Sequence, residues 1–227
     1  LEFRRVLFRS PGVNLYYECP QCGNFLKNRT LIRRNCIPPI VYSDKRRIAP
    51  ISPQFPNLTK CTKCDAIFWL TKLKEIGNYK WGDQEDVKFQ DAEEVAFLGI
   101  DDSLRALDLG VAETRAEVDH IRTHIWHTYN DRLRIAEHMH ERVKNGMSMF
   151  LDEEDEMKWK KNCLELIALT DQSETYGKFK AAELHRNLGD FETSIAILNS
   201  IDIEGGHPLK EKLILECQLK NRYIVLT

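Results

Sequence analysis

The chain contains 227 residues, of which 42% are hydrophobic and 30% are charged, and its formal net charge is −2 at pH 7. This length suits one large domain or two small ones, and the composition is that of an ordinary globular protein. No apolar run approaches the roughly 18 residues that a membrane-spanning helix needs, so we expect no membrane association. No signal peptide is expected either, because no basic segment is followed by an apolar core and a small-residue cleavage site.

The first ten residues, LEFRRVLFRS, resemble a translated cloning or sequencing-adapter junction. We interpret residues 1–10 as such an artefact and expect the native chain to begin near Val13 and Asn14. Residues 11–80 carry 12 basic and 4 acidic side chains, a net charge of +8, whereas residues 81–227 carry 18 basic and 30 acidic ones, a net charge of −12. This asymmetry predicts two domains, a basic one over 11–80 and an acidic one over 81–227.

Four of the seven cysteines form two C-x-x-C pairs, in YECPQCGNF and in TKCTKCDAIFWL. Each pair precedes a short β-prone segment and no βαβ pattern follows, which argues against a thioredoxin-like redox site. Two tight turns of this kind direct four thiolates to one point, where they complete the closed tetrahedral shell of a structural zinc ion. The sequence therefore predicts one structural Zn²⁺, with two unrelated reduced dithiols or a redox site as alternatives. Its ligands are Cys19, Cys22, Cys61 and Cys64.

Each pair is followed by a residue that suits a left-handed turn, Gly23 after the first and Asp65 after the second. The resulting pattern, C-P-x-C-G … C-x-x-C, resembles that of the zinc ribbons. The 38 residues between the pairs exceed the usual spacing of about 15–20. They contain β-prone runs broken by Pro38-Pro39 and by a polar turn at Ser43-Asp44, which predicts a β-hairpin inserted into the ribbon.

The other three cysteines, Cys36, Cys163 and Cys217, stand alone and are expected to be buried free thiols. An odd cysteine count without a signal peptide is unlike a secreted disulfide scaffold. We therefore expect a reducing, cytoplasmic location.

Residues 81–227 predict an all-α domain. DSLRALDLG indicates a short helix capped by Asp101 or Asp102 and ended by Gly110. A long helix is expected over roughly 112–145, since apolar residues recur there at spacings of three and four. Four further helices are expected, in LDEEDEMKWKKNCLELIALTD, SETYGKFKAAELHRNLGD, DFETSIAILNSI and HPLKEKLILECQLKN.

The segment FKAAELHRNLGDFETSIAILNSI, followed by Pro208, resembles one tetratricopeptide repeat (TPR) over about 35 residues. Ala181 and Ala182 occupy the closely packed positions of its first helix, and the inter-helix turn follows at residues 189–191. With the cysteine pairs, the whole chain resembles uncharacterised bacterial proteins that join an N-terminal zinc ribbon to a TPR-like region. The expected fold is therefore α+β, a small zinc ribbon with a hairpin insertion and an all-α TPR-like domain of helical hairpins.

One face of the long helix carries His120, His124, His127 and Asp131. A second metal site or a metalloenzyme centre is one interpretation, but Ile121 replaces the glutamate of an H-E-x-x-H motif. A polar seam against the ribbon or another helix is the favoured interpretation. Nearby, Trp126, Asn130, Asp131 and Arg134 in WHTYNDRLR suggest an interface or a buried polar network, or else ordinary surface residues.

No nucleotide-binding, hydrolase or paired-carboxylate motif is present, so no catalytic residues and no enzymatic activity are expected. The leading hypothesis is a cytoplasmic adaptor that binds a protein partner through its TPR-like helices. The alternative is a nucleic-acid-binding regulator that uses the basic face of the ribbon. The residues of this basic face are Lys27, Arg29, Arg33, Arg34, Lys45, Arg46 and Arg47, with Phe25 and Tyr42. No oligomeric state is predicted.

Overall fold

The computed structural model describes residues 11–31, 38–49, 55–80, 82–134, 146, 148–203 and 207–227. Several expectations therefore fall outside the described residues: the artefact at 1–10, Arg33 and Arg34, Cys36, and the long helix beyond Arg134. Within the described part the fold is α+β, as predicted, with eight strands and six α-helices.

Contacts divide the chain into two compact units. One, called here the β unit, comprises the described residues up to Pro39 together with Ile48–Asp102. The other, the helical unit, comprises Ile40–Arg47 and Ser103–Thr227. The sequence placed a single boundary near residue 80, whereas this division falls within the first helix and assigns most of the inserted hairpin to the helical unit.

The β unit contains a four-stranded sheet and a separate two-stranded one. The larger sheet has the order β7-β1-β2-β8, formed by β1 (Pro11–Glu18), β2 (Phe25–Leu31), β7 (Gly77–Lys80) and β8 (Glu93–Glu94). β1 is antiparallel to both β2 and β7, and β8 runs parallel to β2. The smaller sheet pairs β5 (Leu58–Lys60) with β6 (Ile67–Trp69) in an antiparallel hairpin.

An aromatic cluster includes side chains from three strands of the larger sheet, Tyr16 on β1, Phe25 on β2 and Tyr79 on β7. The rings of Tyr16 and Phe89 stack with centroids 4.2 Å apart, and Phe25 and Tyr79 meet Phe89 edge-on. Gly77 leaves the space that this packing needs, since a Cβ there would lie 2.8 Å from the Phe89 ring. Phe89 ends a short 3-10 helix, Val87–Phe89, in a segment that the sequence analysis assigned to the helical domain. Its cluster gives the β unit apolar contacts that do not involve the cysteines.

The inserted hairpin consists of two very short strands, β3 (Ile40–Val41) and β4 (Arg47–Ile48). The turn passes through Ser43 and Asp44, both buried, and Lys45 adopts a left-handed conformation with φ of 64°.

The described residues contain six α-helices, of which the first spans the division between the two units and the other five belong to the helical unit. The six are α1 (Ile100–Asp108), α2 (Arg115–Arg134), α3 (Glu153–Leu169), α4 (Thr175–Leu188), α5 (Phe191–Asn199) and α6 (Pro208–Gln218).

Local capping explains where several of these helices begin and end. Asp152 accepts a hydrogen bond from Asp155 N at the start of α3, and Asp190 accepts one from Thr193 N at the start of α5. Gly189 ends α4 in the left-handed region, with φ of 86°. The prediction that Asp101 or Asp102 caps α1 was wrong, because the helix begins at Ile100 and both aspartates lie in its first turn. Their negative charges interact favourably there with the positive end of the helix dipole.

The start of α2 also differs from the expectation near residue 112. A reciprocal capping arrangement places it at Arg115: Glu117 accepts hydrogen bonds from the backbone N–H groups of Glu113 and Thr114, and the Thr114 hydroxyl accepts one from Glu117 N. This T-x-x-E pattern was readable from the sequence.

The helices of the second unit share their own core. Ala181 and Ala182 on α4 are fully buried, and the Ser194 hydroxyl of α5 donates to the Ala182 carbonyl oxygen at 2.8 Å. Such a close approach requires small side chains on α4. The surrounding core cluster consists of Phe179, Ala182, Leu198, Ile201, Leu209 and Leu213.

Candidate metal centre

The first cysteine pair lies in the turn that connects β1 to β2. Cys19 N donates to Asn24 O at 2.8 Å, and Gly23 N donates back to Cys19 O at 3.0 Å. Gly23 has φ of 71°, the left-handed conformation expected after the second cysteine. The chain therefore reverses within one short turn and presents both sulfur atoms on the same side.

The second pair repeats this geometry in the turn between β5 and β6. Cys61 N donates to Ala66 O and Asp65 N donates to Cys61 O, both at 2.9 Å. Asp65 adopts φ of 59°, as Gly23 does at the equivalent place. Two hairpins that are far apart in sequence thus present equivalent pairs of cysteines.

The structure brings the four predicted cysteines together. Their sulfur atoms all lie within 4.8 Å of one another. The Sγ atoms of Cys19 and Cys64 are 3.6 Å apart, and those of Cys22 and Cys61 are 3.7 Å apart. A tetrahedral ion with metal–sulfur bonds of ~2.3 Å requires sulfur atoms about 3.8 Å apart, so the four cysteines are positioned to coordinate one metal ion.

Local electrostatics favour a cation among the four sulfur atoms. The Asn24 backbone N–H lowers the pKa of Cys22 to about 7, whereas burial raises the pKa of Cys19. The Ala66 backbone N–H acts to lower the pKa of Cys64, but desolvation and the three adjacent sulfur groups raise it to about 12. Four thiolates at these distances repel one another, and a central cation removes that repulsion while the amide groups support the charge that remains on sulfur.

The cysteines also form part of the apolar core of the β unit. Cys19 and Cys61 are buried against Leu26, Phe68 and Leu70. Because a bound ion would join β1–β2 to β5–β6 through the centre of this cluster, metal binding and packing of the β unit depend on the same residues.

The histidine face of α2 does not form a comparable site. Among the described residues, which include all four members of that face, the four cysteines are the only group placed to hold a metal ion. His127 Nε2 lies 3.0 Å from the Asp44 carbonyl oxygen, and burial lowers the pKa of His127 to about 4. The neutral imidazole therefore donates to that carbonyl. Asp131 pairs with Arg134 and Arg46.

Sequence reasoning missed the role of Asp44, which it treated only as a turn residue. Its carboxylate is fully buried in the helical unit, 2.7 Å from the Arg134 guanidinium, and accepts a second hydrogen bond from Asn130 Nδ2 at 2.9 Å. The only advance signal was the polar N-D-R run inside the long helix, which indicated an interface or a buried network. That network exists, and its partner is the inserted hairpin.

Ser43 enters a second buried network on α4. Its hydroxyl donates to Glu183 Oε1 at 2.7 Å, and Glu183 forms a fully buried ion pair with Arg186 at 2.6 Å. Trp126 of α2 joins the same region by donating from Nε1 to Asn187 Oδ1 at 2.9 Å.

The basic residues of the predicted nucleic-acid face are divided between the two units. In the β unit, Lys27 lies 3.0 Å from Glu85, and Arg29 forms an ion pair with Glu94. Lys45 and Arg46 belong to the helical unit. These contacts reduce the positive charge that the basic residues offer to phosphate groups.

No helix among the described residues is long and apolar enough to cross a membrane. Comparison with protein-family models, with curated proteins and with solved structures found no match for this chain.

Proposed function

We propose that this chain is a non-enzymatic adaptor in which one structural zinc ion stabilises the β unit and the helical unit binds a protein partner. The single observation that carries the proposal is the four-sulfur cluster. Four thiolates satisfy a tetrahedral ion completely, which is the composition of structural sites, whereas catalytic zinc sites keep a position for water or substrate. Zinc is the metal that a tetrahedral set of four thiolates most commonly holds.

The ribbon interpretation is supported by the two equivalent hairpin turns that carry the cysteines. The TPR-like interpretation is supported by α4 and α5, which are joined by only Gly189 and Asp190 and pack closely through Ala182 and Ser194. Helical hairpins of this type stack and offer faces to protein ligands. A cytoplasmic location completes the proposal, because a reducing compartment preserves free thiols.

Elemental analysis tests the metal centre. The full chain purified with zinc is expected to contain one zinc ion per molecule, and Cys64→Ser should lose most of it and unfold the β unit. Cys163→Ser is the matched control, since Cys163 is a buried thiol outside the cluster. Full zinc content and unchanged melting in Cys64→Ser would contradict the ribbon interpretation, and a second metal that survives in this variant would reopen the metalloenzyme hypothesis.

The adaptor role is tested by measuring how much of a partner protein the full chain and its variants capture from cells. Met157 and Leu164 lie on one face of α3 and are 62% and 58% exposed, so lysine at both positions should leave the fold intact. The matched control is Val87→Lys in the β unit, where the side chain is 72% exposed. We expect the partner to be lost with the helical variant and retained with the control. Loss with Val87→Lys alone would place binding on the β unit instead.

The alternative function, nucleic-acid binding, is tested by the salt dependence of binding. If the full chain binds DNA or RNA through Lys27 and Arg29, affinity must fall steeply as salt rises, and alanine at both positions must reduce that slope by about 1 per contact. Binding that is absent or insensitive to salt would exclude this alternative.

A further inference from the structure

We propose that the facing surfaces of α2 and α4 form a peptide-binding site, and that the chain fills this site with its own turn, residues 42–46. The ligand class is a turn-forming peptide with a central serine and aspartate flanked by basic residues. This inference rests on the proposed adaptor function and deepens it, because it adds to the exposed face of α3 a second helical surface and names the chemistry of the segment that binds there.

The centre of the site recognises a carboxylate. Asp44 and Arg134 have side-chain exposures of 0% and 1%, and their oxygen and nitrogen atoms are 2.7 Å apart. Asn130 donates to the same carboxylate, and His127 contacts the Asp44 backbone carbonyl oxygen at 3.0 Å. Three side chains of α2 thus converge on one aspartate, which selects an acidic residue at this position.

A second subsite, on α4, recognises a hydroxyl group. Glu183 Oε1 accepts a hydrogen bond from the Ser43 hydroxyl, and Arg186 Nη2 donates to the Ser43 hydroxyl oxygen at 3.4 Å. Glu183 and Arg186 are themselves completely buried and paired. The serine therefore completes a network that is already formed on α4.

The flanking residues of the turn also have defined contacts. The Lys45 ammonium lies 5.2 Å from the centre of the Phe179 ring on α4. Arg46 is 3.5 Å from Asp131 on α2, and Arg134 lies over the Tyr42 ring. Each of the five consecutive residues 42–46 is thus contacted by side chains of α2 or α4, which is a pattern of sequence recognition.

The turn is also held by strand pairing, as many bound peptides are. Ser43 N donates to Val225 O at 2.8 Å, Val225 N donates to the Ser43 hydroxyl at 3.0 Å, and Tyr42 forms an antiparallel bridge with Leu226. Helix side chains therefore supply specificity while the chain after α6 supplies backbone hydrogen bonds.

The test uses the zinc-loaded full chain and a fluorescent peptide of residues 38–49, PPIVYSDKRRIA. In the double variant Ser43→Gly and Asp44→Gly, the resident turn loses both recognised side chains. We expect the peptide to bind this variant at least about tenfold more tightly than the wild-type chain, whose site is filled in cis. A matched peptide with asparagine for the aspartate should bind at least about tenfold more weakly, since the buried Arg134 then keeps only Asp131 of its two carboxylate partners.

A double variant that keeps its helical circular dichroism but binds neither peptide, or both equally, would overturn the inference. If the variant does not fold, hydrogen exchange on the wild-type chain decides instead. The Ser43 and Val225 amides should then exchange through a local opening that leaves α2 and α4 amides protected, whereas exchange of all of them only on global unfolding would overturn the inference. If the chain captures a partner but the peptide does not bind, the proposal that residues 42–46 fill a peptide-binding site is rejected and the adaptor function stands. If the peptide binds but no partner is captured, the adaptor function is rejected and the peptide-binding site stands.

Discussion

The Asp44 carboxylate is the buried charge on which the hairpin depends. Asp44→Asn keeps the shape of the side chain but removes one of the two carboxylates that pair with the buried Arg134 guanidinium, leaving only Asp131. Removing one partner of a buried pair costs up to about 3–5 kcal/mol of unfolding free energy, and we expect a loss in the lower part of this range because Asp131 remains. Denaturant unfolding of the zinc-loaded chain measures this loss.

The control is Glu154→Gln, which breaks the exposed pair between Glu154 and Lys158 on α3. Exposed pairs of this spacing contribute only about 0.3–0.5 kcal/mol. Equal effects of the two substitutions would mean that the Asp44 pair is hydrated in solution.

His127 predicts a specific pH dependence of stability. Burial lowers its pKa to about 4, with Arg134 and Arg46 acting in the same direction and Asp44 opposing them. The ordinary pKa of histidine is about 6.5, so between pH 6.5 and 4 the unfolded chain binds a proton that the folded chain does not. The stabilisation from neutral His127 is therefore fully present above pH 6.5 and is lost as pH falls through this window.

Measurement of unfolding free energy against pH in the wild-type chain and in His127→Gln checks this dependence. Glutamine retains an N–H donor for the Asp44 carbonyl oxygen but does not titrate. We expect a smaller slope in the variant by up to about 1.4 kcal/mol per pH unit. Because both chains lose metal in acid in the same way, the difference between them isolates the histidine, and identical slopes would show that His127 titrates normally.

At the scale of elements, the start of α4 depends on a close backbone approach. A Cβ at Gly177 would overlap the carbonyl oxygen of Asp171, in the loop that connects α3 to α4. Gly177→Ala should therefore destabilise the helical unit by roughly 1–3 kcal/mol, although alanine is the better helix former.

The matched control for this prediction is Gly99→Ala. Gly99 precedes α1, and a Cβ there would meet nothing within 4 Å. Its substitution should be neutral or stabilising by about 0.4–1 kcal/mol. Thermal melts of both variants give the comparison, and a neutral Gly177→Ala would show that the loop relaxes to admit the methyl group.

Turns and helix ends were predictable from the sequence where the residues that determine them lie close together in the chain. The clustering of the cysteines follows from two short turns, and the caps at Asp152 and Gly189 follow from residues within one helical turn. The pairing of Asp44 with Arg134 was not predictable, because the two residues are 90 positions apart and neither carries a local signal for the other. The strands after residue 76 were missed for a related reason, since β7 and β8 are too short to show a clear alternation.

At the scale of the whole molecule, the two units have separate cores with different requirements. The core of the β unit contains Cys19 and Cys61, whereas that of the helical unit contains no cysteine of the cluster. Excess chelator should therefore abolish the tertiary signals of the β unit while most of the helical circular dichroism remains.

Two probes distinguish the units in this experiment. Hydrogen exchange of the β1 and β2 amides reports on the β unit, in which Tyr16 and Phe89 stack, and dichroism at 222 nm reports on the helices. The Cys163→Ser chain should respond to chelator as the wild type does. Simultaneous loss of both signals in a single transition would show that the helices depend on the metal.

The position of the hairpin has a consequence for synthesis on the ribosome. Ser43 is translated 182 residues before Val225, the backbone partner that it needs in the finished helical unit. At elongation rates of about 5–20 residues per second, the turn is made roughly 10–40 seconds before its last contact exists. The hairpin is thus among the first segments of the helical unit to emerge and among the last to be secured, so a nascent chain has a long interval in which a chaperone or another protein can engage its serine and aspartate.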